Sequence, residues 1–220
     1  MHPSPLDPDN WRARLAALAA AGGDTDGAHD LNHLERVWRS AQALLAHHPE
    51  ADALVVMAAC YLHDLVNLPK NDPERAQASR RSALLARAEL ARLGFPAEKI
   101  DGVAHAIEAH SYSAAIAATT LEAKIVQDAD RLDSLGAVGL ARMFYVAGRM
   151  GRALAHGSDP LAAARTADDQ AFTLDHIDLK LARLPGMMQT GAGRALAEER
   201  LARLLAFRSA FAAEWLGDAA

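Results

Sequence analysis

The sequence predicts an all-α protein, a single-domain helical bundle, and three observations carry that expectation. Ala, Leu and Arg dominate, apolar residues recur at steps of three and four, and β-branched runs alternating with period two are absent. Hydrophobic residues make up 51% of 220, enough for a packed core in one large domain. No repeat, low-complexity tract or dividing linker is visible. Residues 1–220 are therefore expected to form one domain, with a core over about 27–215 and an N-terminal helix within 1–23.

The elements follow from local start and stop chemistry. Asp7-Pro8 opens and Gly22-Gly23 closes a first helix expected over 8–21. Asp30 or Asn32 can cap a second over 30–47, with Val37 and Leu44 as packing residues. Ten consecutive apolar residues, Ala53 to Leu62, make the segment 51–63 suited to burial on all sides. Asp72-Pro73 and Phe95-Pro96 start helices expected over 73–93 and 96–109, with Leu84 and Leu85 assigned to packing in the former. A long helix over 119–147, short ones over 159–166 and 172–184, and a last one over 191–216 complete the reading. Gly148, Gly151, Gly157 and Pro160 mark a loop or surface excursion between them. In the last helix Leu196, Leu204, Phe207, Phe211 and Trp215 fall mostly on one face, as a core stripe does.

Charge and composition exclude several classes of function. The net charge is −5 and there is no Lys/Arg block, so duplex nucleic acid is not the expected partner. Aromatic residues at 5% leave too few stacking platforms for a single-strand binder. No apolar run approaches the roughly 20 residues of a membrane span, and MHPSPLDPDN lacks the basic and apolar parts of a leader, so a cytoplasmic protein is expected. A lone cysteine, Cys60, rules out an internal disulfide and reads as a small buried hydrophobe.

Four places set ionisable groups among apolar ones. In HDLNHLERVW, His33 and Val37 share a helical face, so His33 turns inward. In AACYLHD the apolar run ends in His63-Asp64, two costly side chains to bury. Adjacent helical residues point about 100° apart, so this pair grips one ion only beyond the helix end or between helices. In IVQDADRLDSLG three aspartates interleave with apolar residues, and a carboxylate so placed wants a cation or an arginine. Asp128 and Asp130 lie about 200° apart, so spacing alone leaves open which of them would serve. Finally, His110 closes a helix at HAIEAHSYS, facing either a polar cavity or the surface. Combined, two imidazoles and two carboxylates from three helices form a mixed N/O set suited to Mn²⁺, Mg²⁺, Fe²⁺ or Zn²⁺. Such a set polarises a phosphoryl oxygen and activates water.

These residues resemble the HD-domain metal-dependent phosphohydrolases, whose signature is a separated His, then His-Asp, then Asp on a helical bundle. The stretches NHLERVW, AACYLHD and KIVQDADRLDSLGA carry the likeness. The chain is most similar to a small bacterial branch that also shows a histidine-serine like His110-Ser111 and a late pair like His176 and Lys180. Members of that branch have been assigned nucleotide pyrophosphohydrolase activity.

The resemblance implies an HD-type bundle with His33, His63, Asp64 and Asp130 as metal ligands, choosing Asp130 over Asp128. One divalent ion per chain (Mn, Mg, Fe, Ni or Zn) is favoured, because a second-metal histidine pair finds only His110 and His105, five positions apart. Asp64, His29 and His110 are the candidate catalytic groups. Lys70, Arg75, Arg131 and Lys180 are the candidate substrate cations. The expected partner is a phosphorylated small molecule, a nucleotide, and the many apolar helix faces would also support a homodimer. The expected reaction is (deoxy)nucleoside triphosphate pyrophosphohydrolysis. A non-catalytic nucleotide-binding regulator is the rival; a di-iron oxygenase would need more histidine ligands than the sequence offers. His47, His48 and His156 read as surface loop residues.

Overall fold

The computed structural model describes residues 8–21, 30–68 and 72–217. Asp7, Gly22-Gly23, His29 and Lys70, all named above, lie outside these. Among the described residues the chain is all-α, and pairing of the β kind is limited to one bridge between Ala153 and Phe172. Contacts gather into two compact units, Met1–Asp130 and Arg131–Ala220.

In the first unit the helices are α1 (Pro8–Ala21), α2 (Leu31–Leu45), α3 (Ala53–Leu62), α4 (Ala78–Leu93), α5 (Ala97–His110) and α6 (Leu121–Leu132), whose last turn crosses into the second unit. The all-apolar α3 is the centre. Every residue from Val55 to Leu62 is buried, with α1, α2 and α5 packed around it. Asp52 starts it by accepting from the amides of Leu54 and Val55 at 3.0 and 3.2 Å. The carboxylate also pairs with Lys99, and the Asp52 amide donates to Glu122 at 2.9 Å, which ties α5 and α6 to the head of α3. At α2 the capping question resolves to Asp30, which accepts from the His33 amide at 3.0 Å while Asn32 donates to its other oxygen at 2.8 Å. Val37 and Leu44 are fully buried, but Leu84 and Leu85 are 66% and 41% exposed. Their assignment to packing is therefore corrected: α4 buries Ser79, Ser82, Ala83, Ala86 and Leu90 instead, a stripe of mostly small residues.

The second unit holds α7 (Gly136–Arg149), α8 (Asp175–Leu179) and α9 (Gly191–Leu216). The expected helix over 119–147 is two helices. Gly136 takes φ +71°, outside helical space, and a Cβ on Gly139 would stand 2.2 Å from the Ser134 backbone. That turn is closed by the Arg142–Asp133 pair at 2.6 Å. The expected helix over 159–166 is absent. The Asp159 carboxylate accepts from the amides of Ala163 and Ala164 at 2.8 and 2.9 Å, a local alternative to helical bonding. Arg165 then locks the segment through a two-point pair with the buried Asp175 at 2.6 and 2.7 Å. Within 172–184 only α8 and a 3₁₀ turn at Leu181–Arg183 are helical. On α9, Leu204 is buried and Phe207 and Phe211 pack on Phe144, while Trp215 is 39% exposed. The stripe thus opens to the surface at its end.

Gly139→Ala should lower unfolding free energy by at least about 2 kcal/mol in urea titration, because backbone blocks the new methyl. Gly148→Ala, in the same helix with nothing within 4 Å, should raise it by about 0.5–1 kcal/mol.

Candidate metal centre

Burial of α3 drives its last residues to the interior. His63 caps the helix and is 1% exposed, with Asp64 directly after it. Its Nδ1 donates to the Cys60 carbonyl at 2.9 Å, so the Nε2 lone pair faces away from the helix. His33, also 1% exposed, arrives on the first turn of α2 with Nε2 3.3 Å from that of His63. Asp64 Oδ2 stands 3.8 and 3.5 Å from the two Nε2 atoms, and Asp130 Oδ1, on α6, stands 3.5 and 3.7 Å from them.

All four residues belong to the first unit. Two donors about 2.1 Å from one ion in tetrahedral array stand about 3.4 Å apart, and these spacings are of that size. His33, His63 and Asp64 offer one donor atom each within 4.8 Å, a group that could hold a metal ion. Electron-rich atoms facing one point repel unless a cation or proton lies between them. The carboxylates are the more open members, at 21% and 28% of side-chain surface against 1% and 0% for the imidazoles. Approach is therefore from the carboxylate side.

His110 joins at the edge. It ends α5, is buried, and its Nδ1 donates to the Ile107 carbonyl at 2.6 Å, the same i to i−3 clamp as at His63. Its Nε2 lies 3.7 Å from Asp64 Oδ1 and its ring packs edge-on against His63. Burial, joined by the neighbouring His63, holds this imidazole below its ordinary value against the opposing pull of Asp64 and Asp130. Burial and His63 both favour the uncharged ring.

The remaining sequence candidates separate. Arg75 lines a cleft with Asp64 and His110, its Nη1 donating to the Leu68 carbonyl. Arg131 belongs to the second unit and donates to the Met187 carbonyl at 2.5 Å. Lys180, also there, pairs with Asp169 at 2.6 Å, and the same Asp169 oxygen accepts from His176 at 2.7 Å. Burial alone would raise the Asp169 carboxyl, but Lys180 and His176 hold it down at about 2. Asp128 is fully buried inside α6. His105 accepts from the amide and hydroxyl of Thr119 at 3.1 and 2.9 Å. Cys60 is fully buried and its thiol is pushed up by that burial. His156 packs against Phe172, while His48, expected at the surface, has a buried Nε2 without a hydrogen-bond partner.

One supporting network was not read from the sequence. Tyr61, two residues before His63, donates to Glu35, two residues after His33, at 2.7 Å. Arg12 of α1 bonds both, at 3.0 Å to the phenol and 2.6 Å to the carboxylate. The network pins α2 against α3 and so sets the spacing of the two histidines. Its only sequence signal is polarity at i+2 and i−2 from the signature histidines, which helical periodicity does not single out. Gln127 was also missed: its amide donates to the Ala109 carbonyl at 2.6 Å and links α6 to the end of α5 beside His110.

A buried pair of histidines with two carboxylates on three helices defines a class of site, and the family comparison agrees with it. The HD domain model matches residues 30–135, which span all four residues. The chain belongs to the HD domain family. Among its relatives is YpgQ of Bacillus subtilis, an uncharacterized protein 36% identical over 188 residues, 84% of this chain and 83% of that one. The crystal structure of YpgQ in complex with ADP matches with TM-score 0.69 and 31% identity, covering 94% of each chain. An HD-superfamily hydrolase from Bacillus thuringiensis matches with TM-score 0.72 and 28% identity, covering 94% of this chain and 98% of that one. No described helix is long and apolar enough to cross a membrane.

The Glu35 network carries a pH signature. Burial would raise the Glu35 carboxyl, but the Tyr61 hydroxyl and the Arg12 guanidinium outweigh it and hold the group below 4.5. Its contribution to stability is thus complete above about pH 4.5 and is lost as pH falls through the lower folded value. Thermal melts should therefore show wild type and Glu35→Gln furthest apart near pH 7, the gap closing in acid. A constant gap from pH 7 to pH 3 would contradict the network's role.

Proposed function

We propose that the chain is a metal-dependent phosphohydrolase acting on a nucleotide, with (deoxy)nucleoside triphosphate pyrophosphohydrolysis as its reaction. The observation that carries this reading is the convergence of His33 Nε2, His63 Nε2, Asp64 Oδ2 and Asp130 Oδ1, in which each histidine Nε2 lies 3.3–3.8 Å from the other three atoms. In this reading those four side chains hold one divalent ion (Mn, Mg, Fe, Ni or Zn) per chain. An ion held there would supply Lewis-acid polarisation of a phosphoryl oxygen and a water acidic enough to attack near neutral pH.

The chain's own groups do the rest. The Cys60 carbonyl holds His63 in the tautomer whose Nε2 can ligate. His110, its uncharged form favoured and its Nε2 toward Asp64 Oδ1, accepts the proton of the attacking water, with Asp64 orienting that water. The water oxygen bonds to phosphorus as the anhydride oxygen leaves; cleavage between the α and β phosphorus yields nucleoside monophosphate and pyrophosphate. Arg75 stands in the wall beside Asp64 and steadies the growing charge. His29 and Lys70 keep their proposed roles as a further proton carrier and a substrate cation, and Arg131 and Lys180 theirs as substrate cations. The ADP complex of YpgQ supports the choice of a nucleotide.

Incubating the full chain with nucleoside mono-, di- and triphosphates and each metal, with products identified, tests the reading. Wild type should release pyrophosphate, and Asp130→Ala should lose bound metal and at least about 10³-fold in kcat/KM. Asp130→Ala with metal content and turnover intact would refute the ligand assignment. Nucleotide binding without any product would favour the regulator. His110→Ala should retain metal while losing about 10²–10⁴-fold in kcat, the range for a general base.

A further inference from the structure

A substrate with several phosphates needs more than a single ion to hold it, and the wall next to the ion's proposed position is chemically unusual. A cleft of about 40 Å³ opens there, room for about three waters. Asp64 and His110 form one side, and Arg75, Ser79, Ser111 and Ser113 contribute to the rest. All of it lies within the first unit.

Ser79 is the informative residue. It sits in the first turn of α4, is 1% exposed, and its hydroxyl has no hydrogen-bond partner. A buried hydroxyl left unpaired destabilises the fold, whereas a hydroxyl that serves a ligand is expected to lack a protein partner in its wall. Ala78, the first residue of α4, lines the same cleft, and Gln77 before it makes no side-chain cap. The first turn of a sixteen-residue helix therefore contributes two residues to the lining, with no side-chain cap at its start. Arg75 brings a guanidinium fork to that wall, a shape matched to phosphoryl oxygens. Ser111 and Ser113, their hydroxyls 3.1 Å apart, add donors. Asp64 is the one anionic side chain in the lining, and a cation at the cluster would offset it.

We infer that this wall is a phosphoryl subsite, with Ser79 as hydrogen-bond donor and Arg75 as charge. It takes the phosphate adjacent to the one engaged at the metal cluster. The inference rests on the reading of the cluster proposed above and deepens it: Ser79 and Arg75 hold the second of two linked phosphates, a group that a monoester lacks. Ser79 acts as a binding residue here, one that no helical pattern in the sequence marks.

Titration calorimetry of the full chain with Mn²⁺ present, using pyrophosphate and inorganic phosphate as probes, tests it. Ser79→Ala and Arg75→Ala should each weaken pyrophosphate by about tenfold or more, while inorganic phosphate, which the cluster alone can hold, should change by less than about twofold. Ser79→Ala should melt at the same or a higher temperature than wild type, because the unpaired hydroxyl is gone; a merely structural serine would give a lower one. Pyrophosphate affinity within about twofold of wild type in both variants, or equal weakening of both probes, would overturn the subsite. The readout needs no turnover. Pyrophosphate bound through Ser79 and Arg75 by a chain that hydrolyses no nucleotide would refute the catalytic reading and keep the subsite. Unaltered nucleotide hydrolysis in both variants would do the reverse.

Discussion

Burying α3 on all sides forces its C-terminal residues into the protein interior whatever their polarity. Each large apolar side chain among Val55, Val56, Met57 and Leu62 contributes about 1.5–3 kcal/mol on leaving water. Leaving one buried polar group unmatched costs about 1–3 kcal/mol. The apolar helix wins that contest, and His63 stays inside with its Nδ1 matched by its own helix's carbonyl. What remains is a lone pair aimed into a space where His33, Asp64 and Asp130 also aim theirs. Uncompensated acceptors at such distances are costly in a low dielectric, and a shared cation removes the cost.

The same device appears twice. His63 and His110 each close a helix, and each donates Nδ1–H to the carbonyl three residues back. Helix ends leave carbonyls without amide partners, so one bond satisfies the backbone and fixes the tautomer. Both rings then present Nε2 to one place, with no residue from elsewhere required to orient them. Around this core the holding interactions are charged and run between helices: Arg12, Glu35 and Tyr61 join α1, α2 and α3, and Asp52, Lys99 and Glu122 join α3, α5 and α6. Such pairs add little apolar burial, but they fix the helix register that the four-residue geometry requires.

The first unit therefore carries the four donors, His110 and the Ser79 wall, while Arg131 and Lys180, two of the proposed substrate cations, belong to the second. The second unit is held by a different kind of chemistry. Arg165 with Asp175, Asp159 with two amides, and Asp169 between His176 and Lys180 stabilise a segment poor in regular structure. Carboxylates there replace backbone hydrogen bonds that a helix would have made.

The all-α class, the buried character of 55–62, the Asp30 region as a helix start and the signature residues were legible in the chain itself. Apolar periodicity, short polar caps and an abrupt His-Asp after ten apolar residues are local properties, and local rules read them. The same rules misplaced Leu84 and Leu85, because a helix with both small and large apolar residues can bury either set, and α4 buries small residues together with Leu90. They ran one helix through Gly136 and Gly139 because a glycine's φ and the 2.2 Å approach to Ser134 depend on the path of the following chain. Spacing along one helix could not choose between Asp128 and Asp130; that choice came from resemblance, and it is the packing of α6 on its neighbours that turns Asp130 toward the histidines and buries Asp128. Tyr61 with Glu35, and Ser79 in its cleft, belong wholly to the three-dimensional arrangement. Their meaning lies in partners or vacant bonding positions contributed by segments distant in the chain, and no one-dimensional pattern encodes which segments will meet.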